Sequence, residues 1–390
     1  MKTSSKPVGE KELQGFAYLK HFRHLFAGLH NHAVDKAGNR KLYYDQYASL
    51  LLLYFFTPTL TSLRGLAQAT ELNKVQKRLG ISRHGRTTLS EAARAFDPQL
   101  LKPIIAQLAQ HAQTVVDPLT AQALQGLTAV DGTLLPALPK MAWALWMDAT
   151  HHAAKAHVHF EVLKAVPVDA TLTPGASSEI EQMRLHLQSD RLYVCDRGYL
   201  SYALFRAILD AGSSFVIRVK NNTAYQLQEE RSLSQEAHAA GVVRDLVAKR
   251  LGTSHHKDEI CHPLRLVHVR TGKTDEHGED EVLILCTDRL DLSADLVALA
   301  YRYRWWVELF FRWLKCILGM RHLISHSWPG VTIQFYLALI ASLIVSVWTQ
   351  SKPNKRTFEM LCFYFSGWAT EEELQAHIEK IQQQQKNDSS

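Results

Sequence analysis

The order of apolar and polar positions divides the chain into a helical first third and a mixed remainder. In residues 12–120 apolar positions recur at helical spacing, beginning with Tyr18-Leu19, Phe22, Leu25-Phe26 and Leu29. Tyr47 to Phe56 is an apolar helical run that Thr57-Pro58 stops. A short helix is predicted from Ser62, and a second from Lys74 to a C-capping Gly80. Thr88-Leu-Ser-Glu91 has the pattern of a capping box opening a third. The texture changes after Asp117-Pro118. Leu127–Leu135, Ala156–Leu163 (strictly alternating), Arg191–Asp196 and Ser214–Val219 have strand character. Helices are predicted over Ser178–Gln188 and Tyr202–Ala211, the latter ending at Gly212. Strands in succession, then strands alternating with helices, imply an α/β fold with a mixed sheet. Residues 220–290 are polar, with short β-like runs at His262–Val269 and Glu281–Cys286, and look like a β-rich insertion. Ala294–Met320 is predicted as one long helix. An apolar helix follows over 331–349, then an amphipathic stretch near 355–367, and a Gln-rich end expected to fray.

Composition adds little to this division. The chain has 390 residues, 46 % of them apolar and 21 % charged, as in an ordinary globular protein. Its five cysteines are odd in number and form no Cys-x2-Cys, which argues against a disulfide framework or structural zinc and for a reducing compartment. The N-terminus lacks the apolar core of a secretory signal. The longest apolar stretch, Phe335–Trp348, is 14 residues, short of the ~20 of a membrane span, so a buried core helix and no membrane partner are expected.

Charge is informative only once resolved along the chain. The net balance is +6, but residues 1–120 hold 16 Lys plus Arg against 8 Asp plus Glu, a balance of +8. A basic module on a near-neutral body suits an anionic partner, most often nucleic acid. Short helices around Ser82-Arg-His-Gly-Arg-Thr-Thr88 suit a helix-turn-helix-like binder, with Arg83, Arg86 and Arg94 near the end that would face DNA. An ordinary helical bundle accounts for the same pattern about equally well.

Two carboxylates sit at strand ends before glycine-containing turns: Asp131 in Val-Asp-Gly-Thr and Asp196 in Val-Cys-Asp-Arg-Gly-Tyr. One such Asp is most often a turn former. Two at neighbouring sheet positions point to a hard-metal site, because a carboxylate at an apolar strand end needs a partner. His157 and His159 share a strand face with no third ligand, and are expected to be structural or DNA-facing. In the segment Tyr301–Lys315, helical geometry at about 100° per residue puts Tyr301, Arg304, Glu308 and Lys315 on one stripe about 60° wide, with Arg312 beside them. The rest of that segment is so apolar that burial is expected. An Arg304–Glu308 pair alone leaves Tyr301 and Lys315 on the same line unaccounted for.

Tyr-x2-Arg-x3-Glu-x6-Lys, matched at Tyr301, Arg304, Glu308 and Lys315, resembles the signature of bacterial insertion-sequence transposases of the "insertion sequence four" family. Asp131-Gly-Thr and Asp196-Arg-Gly-Tyr199 look like that family's two Asp motifs, in the same order. The resemblance covers about residues 60–350. It implies an RNase H-like mixed sheet with flanking helices and a β-rich insertion, here with an all-α N-terminal region. The expected divisions are 1–120 (helical, DNA-binding), 121–220 (catalytic core), 221–290 (insertion), 291–350 (remainder of the core) and 351–390 (C-terminal helices and tail). It further implies catalytic and metal-binding roles for Asp131, Asp196 and Glu308, with two Mg²⁺ ions that Mn²⁺ could replace. Tyr301, Arg304, Arg312 and Lys315 would hold DNA. Arg197, Tyr199 and Lys220 are candidates for further DNA contacts, and Trp305, Trp306 or Trp328 for stacking on an extruded base. The expected function is cut-and-paste DNA transposition by a cytoplasmic, nucleoid-associated enzyme. Its partner would be double-stranded DNA, at terminal inverted repeats and target, bound as a homodimer on paired ends, with no small-molecule substrate. The rivals are an RNase H-like nuclease without strand transfer and a non-catalytic DNA-binding descendant.

Overall fold

The structure is a computed structural model. It describes residues 24–30, 40–137, 141–144, 152–252, 262–274, 278, 280–320, 322–365 and 368–388. The expected helical series at Tyr18–Phe22 lies outside them. In chain order the first helices are α1 (Tyr44–Phe56), α2 (Leu63–Ala69), α3 (Asn73–Leu79), α4 (Arg86–Ala95), α5 (Lys102–His111) and α6 (Pro118–Ala123). The middle of the chain carries β1 (Leu127–Pro136), β2 (Ala153–Glu161), β3 (Val166–Pro174), α7 (Glu179–Leu185), β4 (Leu192–Cys195), α8 (Tyr202–Asp210) and β5 (Ser214–Val219). Then come β6 (Tyr225–Glu230), α9 (Gln235–Ala239), β7 (Val242–Leu251), β8 (Leu264–Thr274) and β9 (Asp280–Thr287). The chain closes with α10 (Ala294–Tyr303), α11 (Trp305–Cys316), α12 (Trp328–Thr349), α13 (Lys355–Phe365) and α14 (Glu371–Asp388). Two compact units result: one from residues 1–113, 135–154 and 312–390, the other from 114–134 and 155–311.

The first unit is built around α12. Every residue from Gly330 to Leu343 is buried, so this stretch of the helix has no solvent face. Its polar side chains are satisfied internally. Gln334 donates to the His322 carbonyl (2.8 Å) and accepts from the Ile324 amide (3.0 Å), while Ser342 accepts from the Trp313 indole (3.1 Å). At 22 residues the helix is longer than its uninterrupted apolar run, and it could cross a membrane by length and composition, but its apolar window is 89 % buried in the protein. Helices α1, α4 and α5 pack on it, so this unit is assembled from both ends of the chain. Ser62 caps α2 through Oγ and the Gly65 amide (3.1 Å), and Gly80 caps α3, as expected.

Two expectations fail here. Helix α4 starts at Arg86 from an N-cap at Gly85, so Thr88 lies inside its first turn and caps nothing. The Gln-rich end is helical to Asp388. Thr370 and Glu373 form a reciprocal capping box (Thr370 amide to Glu373 Oε2, 2.8 Å; Glu373 amide to Thr370 Oγ1, 3.2 Å), and Gln382 donates to the Thr349 carbonyl (2.8 Å).

The second unit holds a nine-stranded sheet in the order β3-β2-β1-β4-β5-β9-β8-β7-β6. Strands β1, β4 and β5 are parallel, whereas β5–β9, β9–β8, β8–β7 and β7–β6 are antiparallel. The sheet is therefore mixed, with flanking helices, as expected for an RNase H-like chain. Helix α8 buries Leu204, Phe205 and Ile208 against Phe215, Ile217 and Val219, the alternate residues on one face of β5. Helix α10 packs on β4, β5, β7, β8 and β9. The strands of residues 221–290 continue this sheet through the β5–β9 pairing. Within them Arg265 forms a buried fork on Asp245 (2.7 Å to each oxygen) and donates to the Leu292 carbonyl. Gly126 turns the chain into β1 at φ +74°, where a Cβ would stand 2.5 Å from the Asp190 carbonyl oxygen.

Candidate active site

The parallel register places the two aspartates. Leu127 pairs with Leu192 and Ala129 with Val194, so Asp131 and Asp196 stand at one level, two residues past Ala129 and Val194 on adjacent strands. Each is oriented by a backbone amide. Asp131 Oδ1 accepts from Gly132 (2.8 Å), and Asp196 Oδ1 accepts from Gly198 (2.8 Å) where the chain turns out of β4. Burial pushes the Asp131 carboxyl up to about 7; the Gly132 amide and Arg304 oppose this, and Asp196 and Glu179 add to it by repulsion.

Glu308 reaches the same place from the first turn of α11. Arg304 Nη2 donates to Glu308 Oε1 (2.7 Å), and its Nη1 stands 3.9 Å from Asp131 Oδ2, so one guanidinium links the two carboxylates. The Arg304 group also lies over the Tyr301 ring, 5.6 Å from its centroid. Its Nε is buried without a partner. The expected single helix over 294–320 is pinched here: the Arg304 amide bonds to Tyr301 O (3.1 Å) and the Val307 amide to Arg304 O (3.2 Å), both three residues back. The expected burial of the rest of α11 also fails on one side. Trp305 is 55 % exposed and Leu309 39 %, and Arg312 and Cys316, which follow at helical spacing, are exposed as well.

The other expected site residues are distributed as follows. Arg197 and Lys220 are exposed in the sheet unit, with Lys220 on a cleft of about 420 Å³ that Ser201, Tyr202 and Asn222 also line. Tyr199 is 1 % exposed and cannot contact DNA from the surface; it belongs to the core behind Asp196, which corrects its assignment. Trp306 packs against Tyr303 (4.7 Å), leaving Trp305 the more accessible of the two. Arg83, Arg86, Arg312, Lys315 and Trp328 belong to the helical unit. There Arg83 is ion-paired with Glu71 (2.8 Å), Arg86 and Arg312 are exposed, and Trp328 is 37 % exposed. His157 and His159 are both buried on β2: His157 shares a hydrogen bond with Thr173 (2.8 Å), and His159 packs edge-on to Tyr193. They are structural.

A charged residue beside Asp131, and its ion-pair partner, were not anticipated. Glu179, the first residue of α7, lies against Gly132 and pairs with Lys155 of β2 (3.2 Å). In sequence Glu179 looks like an ordinary acid at a helix N-terminus, and only the fold brings it to the site.

Comparison with known proteins gives the family. The family model described as a transposase DDE domain matches residues 122–344, more than half of the chain and the whole span from Asp131 to Glu308. The chain belongs to this family. Its relatives place it among bacterial insertion-sequence transposases of the "insertion sequence four" type. A Sinorhizobium fredii protein described as transposase y4zB is 26 % identical, over 61 % of this chain and 64 % of its own length, so the match spans less than two thirds of that relative. The probable transposase for insertion sequence element IS5377 of Geobacillus stearothermophilus is 25 % identical, over 74 % of this chain and 75 % of its own. A Synechocystis protein described as a transposase for insertion sequence element IS4SA is 22 % identical, over 71 % and 76 %. Among solved structures, a piggyBac transposase synaptic complex with hairpin DNA aligns over 97 % of this chain and 85 % of its own at 11 % identity, with a TM-score of 0.42.

Transposases of this family use a divalent metal, and the donor chemistry can be tested against that. Asp131 and Asp196 offer hard oxygens at one level, and burial raises the Asp131 carboxyl despite the opposing charge of Arg304. Among the described residues no three His, Cys, Asp or Glu side chains close around a single point, since Arg304 stands between Asp131 and Glu308. By donor chemistry and register the two aspartates fit a hard cation, with Glu308 as a third carboxylate held one guanidinium away.

Proposed function

We propose that this chain is a cut-and-paste DNA transposase that cleaves the ends of its insertion sequence and joins the freed 3′-OH to target DNA. The observation that carries this is the convergence of Asp131, Asp196 and the Arg304-tethered Glu308 at the ends of β1 and β4 and the start of α11. Asp131 and Asp196 would hold Mg²⁺ or Mn²⁺, with Glu308 completing a second position. The bound ions would supply Lewis-acid charge to the phosphodiester and its attacking oxygen. Asp131 and Asp196 are pre-oriented for this by the bonds of their Oδ1 atoms to Gly132 and Gly198, and Asp131 Oδ2 faces Arg304 at 3.9 Å. Arg304 offers a planar cation to a phosphate beside the carboxylates, and Tyr301 lines its other side. Lys315, Arg312, Arg197, Lys220, Arg83 and Arg86 would contact the DNA backbone elsewhere, and exposed Trp305 is the favoured stacking residue. A homodimer on paired ends, in a cytoplasmic, nucleoid-associated setting, completes this account.

A joining assay tests it. The full chain, Mg²⁺, a duplex carrying the DNA that borders the gene and a target plasmid are expected to give covalently joined product. Nicked duplex without joining would favour the nuclease alternative.

A further inference from the structure

Glu179 lies against the residue that follows Asp131, and the three signature carboxylates do not account for it. An ideal Cβ on Gly132 would stand 2.8 Å from Glu179 Oε1 and 3.0 Å from its Cδ, so this carboxylate lies directly on the residue that follows Asp131. It is held there from two sides. Ser178 caps α7 through the Glu181 amide (3.3 Å) and fixes where the helix begins. Lys155 bonds to Glu179 Oε1 (3.2 Å) and donates to the Ser177 carbonyl (3.3 Å). The Tyr199 hydroxyl is a second, independent observation. The residue is 1 % exposed, its hydroxyl has no hydrogen-bond partner, and it stands in the combined field of Glu179, Asp131 and Asp196. A buried donor left unpaired among carboxylates is costly unless it has work there.

We propose that Glu179 is a positioning residue for the Asp131 side of the site, where its charge strengthens cation binding and Lys155 tempers it. The proposal rests on the reading that Asp131 and Asp196 hold a divalent cation. Its physical content is a pair of opposite signs. Removing an anion beside the seat weakens attraction for a dication, and removing a neighbouring cation strengthens it. Gly132 has a role in the same arrangement, because any side chain there would push the Glu179 carboxylate away.

The experiment uses the full chain without DNA and Mn²⁺ as probe, with free Mn²⁺ followed by electron paramagnetic resonance and folding checked by thermal melting. Glu179→Gln is expected to raise the Kd for Mn²⁺ roughly three- to tenfold, with Glu179→Asp in between. Lys155→Met is expected to lower it. Damage to the fold would weaken binding in both variants, so the opposed signs separate charge from structure. If Glu179→Gln does not fold, the Lys155→Met result decides. An unchanged Kd in the folded variants, or a shift in the same direction in both, overturns the proposal. Asp131→Asn provides the control: wild-type affinity in that variant would defeat the metal-site reading itself, whereas loss in Asp131→Asn beside an indifferent Glu179→Gln would defeat only the role of Glu179.

Discussion

Asp131 is held at a thermodynamic cost. Burial raises its folded-state pKa from 3.8 to about 7, so between these pH values the unfolded chain releases a proton that the folded chain retains. Stability is therefore lost as pH rises from about 4 to about 7, and the full cost is present above 7. In chelator-containing buffer, Asp131→Asn should melt at a higher temperature than wild type above pH 7, with a gain on the order of 2–4 kcal/mol that disappears near pH 4. Equal melting temperatures at pH 8 would show that the carboxylate is already compensated. The same residue illustrates what sequence can reveal. The placement of Asp131 on a strand, of Asp196 just past the end of one and of Glu308 on a helix was legible because apolar strand runs and a spaced signature carry their own pattern. Glu179 was not, because its contact with Gly132 joins segments that no local pattern relates.

At the scale of elements, β1, β4 and β5 were legible as short apolar runs that must be buried. Strands β6 and β7 were not. All six residues of β6 are exposed, which leaves no hydrophobic alternation to read at this edge of the sheet. Strand β7 carries Arg244, Asp245, Lys249 and Arg250, and its charge conceals a core position, since Asp245 is buried against Arg265. That pair gives an element-scale prediction. Asp245→Ala strands a buried guanidinium and should cost about 3–5 kcal/mol in chemical denaturation. Replacing both partners with Leu and Met should recover most of the loss. A cost below about 1 kcal/mol for Asp245→Ala would mean that water reaches Arg265. Helix α14 was misjudged for a different reason: its Gln-rich composition suggested fraying, while the capping signal Thr370-x-x-Glu373 lay just upstream.

At the scale of the whole molecule, the basic N-terminal third does not form a unit of its own, because α1, α4 and α5 cover α12. Removing residues 1–115 should expose that 22-residue apolar helix and produce aggregates on size-exclusion chromatography. A monodisperse, folded truncation would show that α12 has another cover. Under the proposed function, the cations that would contact DNA lie in both units, while Asp131, Asp196 and Glu308 lie in the sheet unit alone. The most direct test of these three as one site is Mg²⁺-dependent cleavage of a duplex carrying the element's end, compared between wild type and Glu308→Gln, with end binding followed in parallel by gel shift. The expected result is a loss of cleavage of more than ~100-fold with binding retained. Cleavage by Glu308→Gln at the wild-type rate would contradict the assignment of Asp131, Asp196 and Glu308 as one catalytic site.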